Sequence, residues 1–157
     1  MHSETDVYSR YIRKQIASIE AALAGLSEAQ LNWRPPIDGA NSVYVVATHV
    51  LGNARAWVLG IICGQPVRRD RPGEFASSGT YADFARAAGE LSAEIELSLA
   101  ALDPARLDQR LVPPQELWGA GEPQEISIRD ALADELEHAS IHLGHIQLTR
   151  DLALRES

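Results

Sequence analysis

Hydrophobic residues recur every three or four positions in four long segments of the chain, which predicts four amphipathic helices. In the first helix the apolar stripe comprises Val7, Tyr11, Ile12, Ile16, Ile19 and Leu23. The helices are expected over approximately residues 4–23, 42–63, 80–103 and 127–152. No segment shows the alternation of a strand. The pattern therefore predicts an all-α protein that folds as a four-helix bundle with long connections.

Capping residues support these boundaries. Each helix is preceded by a residue whose side chain accepts a hydrogen bond from the first turn. The expected caps are Ser3 with Asp6, Asn41 or Ser42, Thr80 with Asp83, and Ser127 with Asp130. A short turn over residues 27–30 and loops over 64–79 and 104–126 connect the helices. With no internal repeat and no sign of a second unit, residues 1–157 are predicted to form a single domain.

Composition and charge narrow the class of protein. The chain has 157 residues, of which 45% are hydrophobic and 23% are charged, as in soluble globular proteins. Its net charge of −8 disfavours nucleic acid or an anionic membrane as a partner. No apolar run is expected to be long enough to cross a membrane. The polar N-terminus is unlike a secretory signal, and the single cysteine, Cys63, is expected to be a buried core thiol. A cytoplasmic protein is predicted.

Three of the five histidines lie within eight residues of the fourth helix. Residues four apart on a helix lie roughly 5–6 Å apart, so His138 and His142 can bind one metal ion together. His142 and His145 form a competing pair. His138 and His145 are about 10.5 Å apart along the helix, too far to share an ion. His49, at the edge of the second apolar stripe, is the expected third ligand, whereas His2 is expected to have no role.

Three neutral imidazoles suit zinc, nickel, iron, cobalt or manganese, and they leave coordination positions open for water or substrate. Asp134, Glu135 and Glu137 could orient an imidazole, although solvation of the helix surface is the expected role of each. The zinc-protease motif is absent because Ala139 follows the first histidine. A di-iron site would need two Glu-x-x-His units, and the sequence contains a single such unit, Glu135 to His138. A mononuclear site is therefore predicted.

Four segments resemble the DinB/YfiT-like family of metal-dependent enzymes. They are Leu31-Asn32-Trp33-Arg34-Pro35, Ser42 to Val50, Arg69 to Phe75, and His138 to Gly144. The resemblance implies a four-helix bundle, often dimeric, with zinc or nickel held by His49, His138 and His142. The chain departs from the family pattern at Leu143 and His145. His145 is therefore a candidate pocket residue or acid/base, with a surface role as the alternative.

The family resemblance leaves three functions open. The leading hypothesis is a metal-dependent S-transferase that activates a low-molecular-weight thiol for attack on a small electrophile. Arg68, Arg69 or Arg71 is then a candidate for holding the carboxylate of the thiol, although a solvated loop is the expected role of this segment. The second hypothesis is a hydrolase that uses metal-activated water, with Glu74 as a base if its loop folds over the site.

The third hypothesis is a non-enzymatic, stress-related metal-binding protein, whose metal site Cys63 could close. The three tryptophans, Trp33, Trp57 and Trp118, are expected to be core or loop anchors. For either enzyme the expected partners are a small-molecule substrate and a second copy of the chain in a homodimer.

Overall fold

Four long helices dominate the computed structural model, which describes residues 3–156 and so leaves His2 outside them. In chain order the elements are α1 (Glu4–Leu23), α2 (Glu28–Asn32), α3 (Val43–Ala54), a π-helical segment (Arg55–Ile62), α4 (Arg71–Ala76), α5 (Tyr81–Ala101), a 3-10 turn (Pro104–Arg106), β1 (Arg110–Leu111), α6 (Gln115–Trp118), β2 (Ile126–Ser127) and α7 (Ile128–Ala153). Helices α1, α5, α3 and α7 pack in that order around one core. The predicted all-α four-helix bundle is confirmed.

The predicted caps begin the long helices. Ser3 and Asp6 form a complete capping box at α1, and Thr80 and Asp83 form another at α5. At α3 the cap is Ser42, whose side chain accepts a hydrogen bond from the backbone of Val45. The side chain of each cap satisfies a backbone N–H that has no partner within the helix, so these ends could be located from sequence alone.

The core contains most of the predicted apolar stripes, and α1 contains the exception. Ile12, Ile16, Ile19 and Leu23 are at most 2% exposed, but Val7 and Tyr11 are 38% and 44% exposed. The prediction that both face the core was wrong. The ring of Tyr11 instead lies under the cations of Arg10 and Lys14, at 5.4 and 5.7 Å from its centroid. An aromatic ring can pack in this way against charged side chains at the surface.

Several local elements differ from the sequence prediction. The expected turn after α1 is the short helix α2, and the expected loop after the second helix contains α4. The second helix was predicted as one continuous α-helix, but it changes to π-helical winding at Arg55. Residues 56–62 are all buried, so this segment has no exposed polar face from which a change of helical period could be predicted. Strands were not predicted, but residues 3–156 contain two, β1 and β2, which pair antiparallel over two residues each.

The helix Val43–Ile62 has a mean hydropathy of 1.4 and is long and apolar enough to cross a membrane. The sequence prediction that no segment is long enough was therefore wrong. This is the single such helix among the described residues. However, 83% of its most apolar window is buried inside the bundle. Core helices of soluble proteins meet the same criterion, so this helix is explained by its central position in the bundle.

Candidate metal centre

Three histidines from two helices converge in the middle of the bundle. His49 lies on α3, and His138 and His142 lie one turn apart on α7. One nitrogen from each ring lies within 4.8 Å of the other two, and no other such group of potential metal ligands occurs among residues 3–156. The Nε2 atoms of His49 and His138 are 3.2 Å apart. The predicted spacing of four residues on α7 therefore presents two imidazoles to the third.

His145 lies beside this group and does not belong to it. Its ring is exposed, and its Nδ1 is 3.4 Å from Nδ1 of His142. The competing pair of His142 and His145 is therefore in contact, but the three nitrogens that cluster come from His49, His138 and His142. His145 is placed as a neighbour of the cluster at the surface of the protein.

The imidazoles on α7 are held in the neutral form. Burial, followed by the proximity of His142, His49 and Arg69, lowers the pKa of His138 to about 3. Burial, followed by the proximity of His49 and His145, lowers the pKa of His142 to about 4. A neutral imidazole has a lone pair available for a metal, whereas an imidazolium does not. Both rings are therefore in the ligand form at neutral pH.

Glu74 orients the third ring. Its Oε2 lies 2.9 Å from Nδ1 of His49, and both side chains are 8% exposed. Burial raises the pKa of Glu74, but hydrogen bonds from His49 and Arg69 outweigh that effect and lower the pKa overall. Because an ionised carboxylate only accepts hydrogen bonds, Nδ1 carries the proton and Nε2 has the free lone pair. Carboxylates commonly support metal-binding histidines in this way.

The position of Glu74 depends on two features of the chain. Asp70 caps α4, which places Glu74 in the first turn and points it at α3. Gly52 leaves room for it, because a Cβ atom at that position would overlap the carboxylate of Glu74. The loop over residues 64–79 thus folds over the histidines. Glu74 was considered as a base only if its loop did so. The N-cap aspartate followed by Pro72 was the sequence signal for α4.

A chain of hydrogen bonds continues from Glu74 to α7. Arg69 donates from Nε to Oε1 of Glu74 at 2.9 Å and from Nη1 to Oδ1 of Asn53 at 3.1 Å. Asn53 in turn donates from Nδ2 to Oε2 of Glu135 at 2.7 Å. We call these four residues, Glu74, Arg69, Asn53 and Glu135, the polar network. It lies behind the histidines and links α3, α4 and α7 through side chains alone.

Two predictions about these residues were wrong. The Arg69 side chain is 2% exposed and ion-paired, not part of a solvated loop, because α4 brings Glu74 against it. Glu135 is 1% exposed and does not solvate the surface of α7. Its position three residues after Leu132 and four before Ala139 places it on the buried face of α7, which packs against α3. Asp134 and Glu137 are exposed, as predicted.

The donor set fits a divalent transition metal. Two nitrogens on a tetrahedral zinc ion, with Zn–N bonds of ~2.0–2.1 Å, are about 3.3–3.4 Å apart. The observed 3.2 Å between the Nε2 atoms of His49 and His138 is close to this separation. The imidazoles of His138 and His142 are neutral, and the carboxylate of Glu74 supports His49. The three histidines could therefore hold one such ion.

An open cavity of about 300 Å³ adjoins the cluster. His49 and His138 form part of its wall, and the remaining lining residues are Asn53, Trp57, Arg69, Arg71, Trp118, Gly119, Ala120 and Asp134. The rings of Trp57 and Trp118 stack at 5.3 Å. Both were predicted as anchors only, yet the cavity is bounded by them. We call this space the first cavity.

Cys63 lies outside the cluster of potential ligands found in the described part of the chain. It is half-buried at the end of the π-helical segment, and burial raises the pKa of its thiol to about 11. A protonated thiol is a poor ligand and a poor nucleophile. Cys63 packs against the core as predicted, but the prediction that it is buried was wrong, because it is partly exposed.

A family model described as mycothiol-S-transferase matches residues 7–153. The chain belongs to this family. It is a DinB/YfiT-like family, so the resemblance of the sequence motifs is confirmed. No curated protein matches the chain closely enough to add a further relative. Family membership supports a thiol S-transferase-like enzyme and a soluble protein.

Proposed function

We propose that this protein is a metal-dependent thiol S-transferase, in which His49, His138 and His142 hold one zinc or nickel ion. The observation that carries the proposal is the convergence of three ring nitrogens within 4.8 Å beside an open cavity. When bound, such an ion would lower the pKa of a coordinating thiol, so that the thiolate is available at neutral pH.

The side chains around the histidines have separate roles in this proposal. Glu74 keeps the proton of His49 on Nδ1 and leaves Nε2 free as a ligand. Arg69 holds Glu74 in place through two hydrogen bonds, from Nε and from Nη2. The carboxylate of Glu74 is therefore fully engaged, and its lowered pKa makes it a weak base. Hydrolysis with Glu74 as the base consequently gains no support.

The first cavity suits the thiol. The family description names mycothiol. This thiol carries a glucosamine–inositol unit with many hydroxyl groups. The stacked rings of Trp57 and Trp118 offer a flat apolar wall for a sugar, and Asp134 offers a hydrogen-bond acceptor. Of the three arginines considered from sequence, we propose Arg71 as a hydrogen-bond donor to the hydroxyl and amide oxygens of mycothiol, which has no free carboxylate. Arg69 is occupied by Glu74 and Asn53, and Arg68 is not among the residues that line this cavity.

The proposed reaction forms one bond between sulfur and carbon. The thiol loses its proton to solvent, and the thiolate attacks the electrophilic carbon. With an alkyl halide the carbon–halogen bond breaks and a halide ion leaves. One thiol and one alkyl halide thus yield one thioether, one halide ion and one proton. No oxidant or reductant is needed.

Metal content and conjugation test this proposal together. Elemental analysis should find close to one transition-metal ion per chain in the wild type and in His145→Ala, and little in His49→Ala or His142→Ala. The wild type should then conjugate monochlorobimane to mycothiol faster than to glutathione or bacillithiol. Metal retained at full level in His49→Ala, or no conjugation with any of the three thiols, would overturn the proposal.

We also propose a cytoplasmic homodimer without nucleic-acid or membrane partners. The net charge of −8 and the single cysteine support the absence of polyanionic partners and a reducing compartment. Sedimentation velocity on the purified chain tests the oligomeric state directly, since the monomer has a mass of 17.1 kDa.

A further inference from the structure

A second cavity reaches the same histidines from another side. It has a volume of about 340 Å³, and its wall includes His49, His142, His145, Phe75, Leu148 and Val46. The ring of Phe75 lies 4.8 Å from the ring of His49. His49 is shared with the first cavity, whereas His138 lines the first cavity and His142 lines the second. The cluster therefore lies between two spaces.

The two cavities differ in charge. Arg69, Arg71 and Asp134 line the first, together with the amide of Asn53. No lysine, arginine, aspartate or glutamate among residues 3–156 lines the second, and aliphatic and aromatic carbon form most of its surface. A charged or hydroxyl-rich group would lose its hydration there without gaining ionic partners. An apolar group would gain from leaving water.

We propose that the second cavity binds the apolar part of the electrophile, while the thiol occupies the first cavity. This inference rests on the proposed S-transferase function and specifies its second substrate as a small molecule with an apolar body. Two molecules that enter from the two cavities meet at the histidine cluster. Sulfur and the electrophilic carbon are thereby brought together without either substrate displacing the other, which is the advantage of holding two reactants in one orientation.

Leu148 offers the clearest test position. It is 63% exposed at the edge of the second cavity, so a substitution there leaves the core intact. Leu148→Glu would place a negative charge beside the bound apolar group. Leu97, which is 74% exposed on α5 and does not line this cavity, provides the matched control Leu97→Glu. Thr149→Trp offers a second variant, which fills the space instead of charging it.

Direct binding tests the inference independently of catalysis. Tetramethylbimane, which has no leaving group, is titrated into zinc-loaded protein without thiol and followed by equilibrium dialysis. The wild type and Leu97→Glu should bind it equally, and Leu148→Glu and Thr149→Trp should bind it about tenfold more weakly, the scale on which apolar pockets discriminate. Absence of binding to the wild type, or equal binding to all four proteins, would overturn the inference.

Kinetics distinguish failure of this inference from failure of the proposed function. Leu148→Glu should raise KM for monochlorobimane about tenfold while leaving KM for mycothiol and the zinc content unchanged. KM for chloroacetamide, a small polar electrophile with the same leaving group, should change little. If the wild type conjugates thiols but Leu148→Glu alters neither KM, the S-transferase function stands and the second cavity is not the electrophile site. If the variant changes only the sedimentation coefficient, the cavity is covered by a second copy of the chain, and the inference is wrong.

Discussion

The polar network contains a buried glutamate at each end, and the pKa values of these two carboxyl groups are shifted in opposite directions. At the α4 end, Glu74 contacts the guanidinium of Arg69 and the ring of His49, and its pKa is lowered. At the α7 end, Glu135 has one hydrogen bond, from the neutral amide of Asn53. Its Oε1 is buried without a hydrogen-bond partner. Burial raises the pKa of Glu135 to about 8, and the hydrogen bond from Asn53 and the charge of Arg69 reduce the rise only in part.

The difference follows from where the cation lies. Both carboxylates lose water, which favours the protonated form, and a direct ion pair reverses that preference for Glu74 alone. Glu74 is therefore an anion that can support a metal-binding histidine, whereas Glu135 is a neutral acid over much of the physiological range. A buried glutamate beside a candidate metal site is thus not automatically an anionic supporting group.

The largest expected effect is the loss of stability on removal of the Arg69 cation. Arg69→Met leaves Glu74 buried without its ion-pair partner, and breaking a buried pair in this way costs about 3–5 kcal/mol of stability. Arg68→Met, at the exposed neighbouring position, should change the free energy of unfolding by less than about 0.5 kcal/mol. Urea denaturation of the metal-free proteins measures both. Similar small changes in the two variants would show that the ion pair is not important for stability.

The anionic end should also determine metal affinity. Glu74→Gln keeps the size of the side chain but removes the charge that supports His49, and loss of such a group typically weakens metal binding 10–100-fold. Competition with a zinc chelator gives the dissociation constant. Glu135→Gln serves as the comparison and should change the affinity much less, because Glu135 is already neutral. Equal losses in the two variants would remove the distinction between the carboxylates.

The raised pKa of Glu135 should make the stability of the protein depend on pH. The pKa of Glu135 is about 8 in the folded protein and 4.5 as its ordinary value, so the folded state retains a proton that the unfolded chain releases. This contribution to stability is fully present below about pH 4.5 and is lost as the pH rises toward 8. Glu135→Gln should therefore be more stable than the wild type at pH 7.5 by up to about 4 kcal/mol, which corresponds to roughly three pH units at ~1.4 kcal/mol each.

Urea denaturation of metal-free protein at pH 5, 6.5 and 8 follows this trend. The matched control is Glu137→Gln, two residues further along α7 and exposed. It should leave the slope of the wild type unchanged. A parallel pH dependence in the wild type and Glu135→Gln would contradict the raised pKa.

The smallest effect is expected at His145, which contacts His142 from outside the cluster and has no bond to the polar network. His145→Gln should change zinc affinity less than about threefold, because a solvent-exposed neighbour at 3.4 Å supports a ligand weakly. The same chelator competition applies. A loss comparable to that of His142→Ala would make His145 a ligand and shift the site toward the surface.

The amino-acid sequence by itself determined the long helices, most of the core and the convergence of the histidines. These features depend on local rules: a serine or threonine caps a helix start, apolar residues repeat every 3.6 positions, and residues four apart on α7 share a face. His49 could be added to His138 and His142 because it lies at the edge of the apolar stripe of the second predicted helix. Its role as a metal ligand is still a prediction.

Only the tertiary structure decided what the buried polar side chains contact. Helical periodicity places Glu135 on the buried face of α7 and Glu137 on the opposite face, but only the packing against α3 shows that Glu135 meets the neutral amide of Asn53. Arg69 meets Glu74 because α4 folds back across α3, where Gly52 leaves room for the carboxylate. The charge state of each glutamate depends on burial and on its distance from a cation, and both quantities are set by packing between distant segments. Helical periodicity can indicate burial, but no local pattern in the sequence gives the distance between a glutamate and a cation.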